Sequence, residues 1–366
     1  MKKNWIKLLI SLIIGGLFIW LVIKDAPVEE VFSANNQYTW ENTTLIVLGP
    51  PDSGSHIVWQ FDLLYIIPYF LVLTIIHLIR TLRWRDLLKP LGEIDFWRVN
   101  NISSVGFMAI MLFPLRLGEF VRPYLVKTQC NIRMSAGLST IVVERVFDGL
   151  VTALLLFFCL FFIPYNNRTA ENYAFIWAGS LIALGFFLGS LVFLLISYWK
   201  RELGKKIVRT TFGRISQKLS DRLEGIMDAF FNGLASLPSK KIIFSFLVYT
   251  LVYWAINGYG LYILAKGFNM PLSLIGGYTI MSCIVVGIMI PGPPGQAGTF
   301  EYFVLAPLAV FSTMEATNLA FALICHGMQF FQQVAFGAYF ILTGKASFSG
   351  IIKSQLSGEV LEDGKV

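Results

Sequence analysis

The stretch from Val105 to Tyr124 constrains this chain more than any other. An apolar run ends against Pro114, delivers Arg116, Glu119 and Arg122 three residues apart, and meets Pro123. In a water-soluble protein this would be a turn into a short helix. Composition removes that setting: 56% of residues are hydrophobic, 14% are charged, and the mean hydropathy is +0.67. Such a chain makes a polytopic membrane protein. In a bilayer, broken backbone is stable only where protein or a water-filled cavity covers it. Ionisable groups at that depth are costly and mark function.

Spans of roughly 20 residues account for most of the 366 residues. No gap between them holds a soluble catalytic domain of about 100 residues. The net charge of +7 lies mostly in a few segments between spans. That is the positive-inside pattern, which sets orientation and gives no reason to expect nucleic acid. Cys130, Cys159, Cys283 and Cys325 are isolated, and His56, His77 and His326 are scattered. Neither spacing suits zinc or a disulfide framework, so no metal and no cofactor is expected.

Taken in order, an apolar run from Leu8 to Ile23 follows three lysines and precedes no small-x-small cleavage site. It reads as a retained first span with a cytoplasmic N-terminus. The loop from Lys24 to Asp62 is acidic and turn-rich, and is expected outside. The second span covers about Leu63 to Leu82, with Pro68 expected to kink it. It empties into Arg80, Arg83 and Trp84. These suit a cytoplasmic anchor in the headgroup belt, or the capture of anionic headgroups on their way to a cavity. The apolar run at 102–113 is too short to cross, so residues 101–127 are expected to form a re-entrant hairpin with Pro114 near its tip. An interfacial amphipathic helix is the competing reading.

The segment from Ser135 to Ile163 carries Glu144, Arg145 and Asp148. Three central charges oppose insertion by roughly 8–10 kcal/mol, and its sixteen Leu, Ile, Val and Phe residues from Ile141 onward return roughly 5–10 kcal/mol. Alone it is marginal, so it must find polar partners. Glu144 and Asp148 share a helical face, and Asp148 lies about 13 Å along the axis, near mid-membrane. A further span, Tyr173 to Trp199, precedes the basic insert 200–241. Apolar residues recur there at helical spacing, which predicts an amphipathic helix on the inner leaflet or a docking helix for a partner.

Beyond the span Ile242–Leu264, residues 274–312 hold a second broken segment. It runs through Pro291-Gly292-Pro293-Pro294-Gly295-Gln296-Ala297-Gly298-Thr299-Phe300-Glu301. Prolines and glycines forbid continuous helix there. Backbone N–H groups of such loops cradle phosphates, although neither the Walker nor the dinucleotide pattern is present. The last span is Thr317–Leu342, and a short tail at 344–366 is expected in the cytoplasm. Both broken segments end an apolar run on proline and then supply Gly and Glu. Entry from opposite sides predicts an inverted repeat with its site near the midplane.

Four ordered motifs carry a resemblance. They are Arg80-x-x-Arg83-Trp84; Pro114-Leu115-Arg116-Leu117-Gly118-Glu119-x-x-Arg122-Pro123; Glu144-Arg145-x-x-Asp148; and Pro294-Gly295-x-x-Gly298-Thr299-x-Glu301. Together they resemble the lysylphosphatidylglycerol synthase transmembrane-region family, which includes the flippase-like membrane domain of the multiple peptide resistance factor. The resemblance implies a bacterial or archaeal membrane domain that moves lipids between leaflets. The aminoacyl-transferase domain that follows the membrane part of that factor has no counterpart in these residues, so lysyl transfer is not expected.

The expected fold is therefore all-α: a single integral membrane domain of about six full transmembrane helices plus two re-entrant hairpins. The first half covers 8–199 and the second 242–343. The expected function is translocation of an anionic phospholipid or lipid-linked intermediate across the plasma membrane. Arg116, Glu119, Arg122, Glu144, Arg145, Asp148, Gly295, Gly298 and Glu301 would form the site, and Arg80, Arg83 and Trp84 would capture headgroups. Arginine suits phosphate through its planar, permanently charged fork. The alternatives are a membrane enzyme acting on a lipid phosphate, with Glu144, Asp148 or Glu301 as base, and a non-catalytic partner of a lipid-modifying enzyme.

Overall fold

The computed structural model describes residues 2–50, 56–163, 171–213, 216–217, 240–290, 292–312 and 314–344. The chain is a polytopic, predominantly helical membrane protein. Its helices are α1 (Lys2–Asp25), a short α2 (Val28–Val31), α3 (Ile66–Leu88), α4 (Phe96–Leu112), α5 (Val121–Cys130), α6 (Met134–Phe161), α7 (Glu171–Trp199), α8 (Arg201–Phe212), α9 (Lys240–Gly267), α10 (Leu274–Ile288), α11 (Thr299–Phe311) and α12 (Glu315–Leu342). Among the described residues, four helical segments are long and apolar enough to cross a membrane: Leu63–Leu88, Tyr173–Ile196, Lys240–Gly267 and Glu315–Leu342. The 28-residue α6 falls outside that group because it carries its three charges inside the bundle. On α1 and α7 the side chains of Leu17, Trp20, Ile182 and Phe186 are exposed, as lipid-facing surface requires.

The acidic loop before α3 is more ordered than the sequence suggested. Strands β1 (Gln37–Glu41), β2 (Thr44–Leu48) and β3 (Ile57–Asp62) form an antiparallel meander in that order. It buries Val47 and Val58 against Ala316 and Leu319 at the start of α12. Pro68 does not kink α3. The helix begins at Ile66, so the proline sits in the first turn, where backbone N–H groups have no intrahelical partner to lose. Of the basic insert, Arg201–Phe212 forms α8, and the amphipathic helix expected from Phe212 to Leu234 lies almost wholly outside the described residues.

The two broken segments define the architecture. Asp95 caps α4 by accepting from the N–H groups of Trp97 and Arg98. At 1.5 Å per residue, α4 reaches only about 25 Å and α10 about 22 Å, short of the roughly 30 Å hydrocarbon core. Each then turns back, α4 into α5 and α10 into α11. The α4–α5 hairpin packs with the end of α3, the start of α6 and the end of α12, through Trp84, Leu88, Ala136, Phe340 and Ile341. The α10–α11 hairpin belongs to the opposite end. There Leu272 and Leu308 share a core with Phe61 of β3 and with Phe268 just beyond α9. The order long helix, broken hairpin, long helix thus occurs twice, as α3–α6 and α9–α12, in opposite directions. The hairpins enter from opposite sides and meet in the interior.

Candidate functional site

Where the tips meet, the backbone is irregular in both. Pro114–Phe120 forms a 3₁₀ turn in which Leu115 and Arg116 are left-handed, with φ of 53° and 58°. Such residues cost about 1–3 kcal/mol each and persist only where their surroundings hold them. The holding contacts are visible. The N–H of Leu115 donates to the Gly292 carbonyl at 2.8 Å. Arg116 Nη1 donates to the carbonyl of Ile288, the last residue of α10, at 2.6 Å. Helix C-termini leave such carbonyls unpaired and favour a cation, so Arg116 of one hairpin caps the broken helix of the other. Its Nε donates to Glu119 Oε1 at 2.8 Å. Gly118 is obligatory, because a Cβ there would lie 2.2 Å from the Ala109 backbone.

Behind the tips lies an ion-pair network whose Arg83, Arg122, Glu144 and Asp148 are buried. Arg83 pairs with Asp148 through both carboxylate oxygens and with Glu144 Oε1 at 2.6 Å. Arg122 Nη2 donates to Glu144 Oε2 at 2.9 Å. Arg145 reaches Asp148 at 3.4 Å and Glu144 at 3.7 Å. The one-turn spacing of Glu144 and Asp148 lets both grip the guanidinium of Arg83. Trp84 donates to the Thr140 hydroxyl at 2.9 Å and lies 4.8 Å under the Arg122 guanidinium. Arg83 and Trp84 are wholly buried, so neither stands at the headgroup surface where the sequence put it. Arg122 likewise parts from its expected neighbours Arg116 and Glu119 and turns toward α6.

In front of the network a cavity opens. Including its mouth, it leaves about 940 Å³ of unfilled space, and its lining includes Arg80, Arg116, Arg145, Asp148, Gly295 and His326. Arg80 sits 3.6 Å over the Phe107 ring, and its Nε has no hydrogen-bond partner. Among the described residues no carboxylate lies within ion-pair reach of it. Around the cavity and network, Arg80, Arg83, Arg116, Arg122 and Arg145 therefore face only Glu119, Glu144 and Asp148. The region carries two more cations than anions, with Arg83 and Arg122 buried and Arg80, Arg116 and Arg145 partly exposed to the cavity.

The second tip is built differently. Gly295 and Gly298 are left-handed, with φ of 68° and 80°. A Cβ on Gly298 would lie 2.7 Å from Ile19 of α1. The Gly298 N–H donates to Glu301 Oε2 at 2.7 Å, so this amide caps α11 and is not open to a ligand. Glu301 Oε1 lies 2.5 Å from His326 Nδ1, and His326 Nε2 lies 2.7 Å from the Gly295 carbonyl. His326 was not singled out from the sequence, because it sits on α12, far along the chain from both partners. Nor was His77, buried on α3 beside Asn100 and Ser104 at 3.0 and 3.1 Å.

The fold and site define a class: a polytopic membrane protein in which two broken hairpins of opposite entry meet over an arginine-rich cavity. The chain belongs to the lysylphosphatidylglycerol synthase transmembrane-region family, whose model matches residues 5–337. It is 28% identical over 233 residues to a UPF0104 membrane protein of Methanocaldococcus jannaschii, covering 62% of this chain and 90% of that one. A UPF0104 membrane protein of Methanothermobacter thermautotrophicus is 23% identical over 340 residues, covering 87% and 93%. The glycosyltransferase AglD of Haloferax volcanii is 23% identical over 277 residues, covering 69% of this chain and 44% of that protein. No solved structure matches. These similarities link the membrane domain to lipid or glycolipid metabolism.

Proposed function

We propose that the chain moves an anionic lipid or lipid-linked intermediate between leaflets, its phosphate seated between Arg80, Arg116 and Arg145. The charge balance carries this reading. Three of the five arginines line the cavity, and Arg80 faces no carboxylate. An uncompensated charge taken out of water costs several kcal/mol, and a phosphate at this place cancels it. Guanidinium groups bind phosphate oxygens in pairs and keep their charge when buried. In this role Asp148 and Glu119 aim Arg145 and Arg116, while Arg83, Arg122 and Glu144 hold the frame. The hairpin tips act as the gate, since they are the irregular backbone that separates the two sides.

The same reading places the β-meander outside and α8 on the cytoplasmic leaflet of the plasma membrane, following the excess of basic residues. It is tested with the purified chain in vesicles carrying fluorescent phosphatidylglycerol, with an impermeant quencher added outside. Faster loss of inner-leaflet fluorescence, with the lipid recovered unchanged, is expected. Chemically altered lipid would make the chain an enzyme. No effect of the chain alone would favour a partner role.

A further inference from the structure

Glu301, His326 and the Gly295 carbonyl form a chain of three polar groups that the phosphate seat does not use. A carbonyl oxygen only accepts, so at 2.7 Å His326 Nε2 must carry a proton and donate to Gly295. The 2.5 Å approach of His326 Nδ1 to Glu301 Oε1 also needs a hydrogen between the two atoms. It is held either as imidazolium with carboxylate or as imidazole with carboxylic acid. Both forms hold one proton more than neutral imidazole with carboxylate. When that proton leaves, a lone pair faces either the Gly295 oxygen or the Glu301 oxygen, and one of the two bonds is lost.

The bond at risk belongs to the gate. Gly295 sits in the Pro/Gly tip, three residues from Gly292, whose carbonyl holds Leu115 of the other hairpin and the Ser11 hydroxyl of α1. Phe300 stacks on the imidazole at 4.4 Å and keeps the ring in the plane that both bonds require. We infer that Glu301, His326 and the Gly295 carbonyl make up a proton-binding site that locks the second tip when occupied. Lipid movement is then coupled to the binding and release of one proton. The other ionisable groups facing this space are Arg80 from α3, Arg116 at the first tip, Arg145 and Asp148 from α6, and Tyr253 from α9. Tyr69 and Cys325, within 3.4 Å of each other, stand beside His326. The arginines stay charged at all working pH values. Asp148 is engaged by Arg83 and Arg145. Among these groups the His326–Glu301 pair is the one whose two hydrogen bonds require a proton beyond neutral imidazole with carboxylate.

The coupling rests on the translocation reading; the proton site does not, so the experiment reads them separately. Glu301→Gln supplies an amide that accepts from Gly298 and donates to His326 Nδ1, reproducing both hydrogen bonds of the protonated pair without its carboxyl group. His326→Ala removes both bonds. In the full-length chain in vesicles, infrared spectra across the pH range should show a carboxyl or imidazole transition that both variants lose. A transition that survives in either variant, or is missing from the parent chain, overturns the proton site. In the same vesicles, movement of fluorescent phosphatidylglycerol should vary with pH in the parent. Glu301→Gln should be slow and flat with pH, and His326→Ala flat and faster than Glu301→Gln. Parent movement that is independent of pH overturns the coupling and leaves translocation standing. Absence of movement at every pH overturns both translocation and coupling, and the infrared result still decides the proton site.

Discussion

The backbone N–H of Leu115 donates to the carbonyl oxygen of Gly292 across 2.8 Å, joining the tips of two hairpins that enter the bundle from opposite ends. Ser11 of α1 donates to the same oxygen at 2.9 Å. Three separate elements thus converge on one acceptor, at the place where both broken helices leave backbone groups unpaired. Satisfying these groups away from water is the condition for irregular backbone at membrane depth. Each tip supplies what the other lacks.

The tight approaches at the tips should be intolerant of a single methyl group. Gly118→Ala and Gly298→Ala would place a Cβ 2.2 Å from Ala109 and 2.7 Å from Ile19, and Gly298 also has φ of 80°. Each should lose about 1–3 kcal/mol of stability, read as a lower melting temperature of the purified chain. Gly185→Ala, with no atom within 4 Å, should match the parent or exceed it slightly, as alanine favours helix.

The buried network should behave as structure. Asp148→Asn and Arg83→Met each strand a charge, at a cost of about 3–5 kcal/mol, and should deplete the protein from the membrane. Arg83→Met combined with Asp148→Leu should recover more protein than either single change. Immunoblots of membrane fractions decide this: a double variant as depleted as the worse single one would contradict the pairing.

Arg116 should resist replacement by lysine. Its Nε and Nη1 serve Glu119 and the Ile288 carbonyl at once, which a single ammonium reproduces poorly. Arg116→Lys should lose about 1.5–3 kcal/mol, the worth of a hydrogen bond to a charged group. Amide hydrogen exchange over 285–290 should rise while α6 stays protected.

Orientation follows from charge. With the native cysteines replaced, Tyr38→Cys on exposed β1 should react with an impermeant thiol reagent added to intact cells. Gln217→Cys should react only after permeabilisation. The reverse pattern would invert the proposed topology.

Much of this architecture is legible in the sequence because its causes are local. Pro114 and the Pro/Gly run after Ile290 break helices wherever they occur, and apolar lengths separate spans from hairpins. The helices of the second hairpin span Leu274–Phe311, on either side of that run. What stayed hidden depends on contacts between distant segments. Arg83 and Trp84 look like an interfacial anchor until α6 brings Glu144 and Asp148 against them. Arg116 and Arg122 share a helical spacing, yet the left-handed turn at 115–116 sends them to different partners. His326 gains meaning only from Glu301, 25 residues earlier on another helix. The β-meander is not legible in the sequence because its first strand is exposed along its whole length and so lacks the alternation that signals a half-buried strand.

The central claim is that the cavity's unbalanced positive charge seats a phosphate, and Arg80 tests it most directly. Because Arg80 has no ion pair to strand, Arg80→Gln should leave the protein folded and at parental abundance. At matched protein levels in vesicles it should slow the movement of fluorescent phosphatidylglycerol at least about tenfold, equivalent to about 1.4 kcal/mol of lost headgroup binding. A correctly folded Arg80→Gln chain that moves the lipid as fast as the parent would contradict the account.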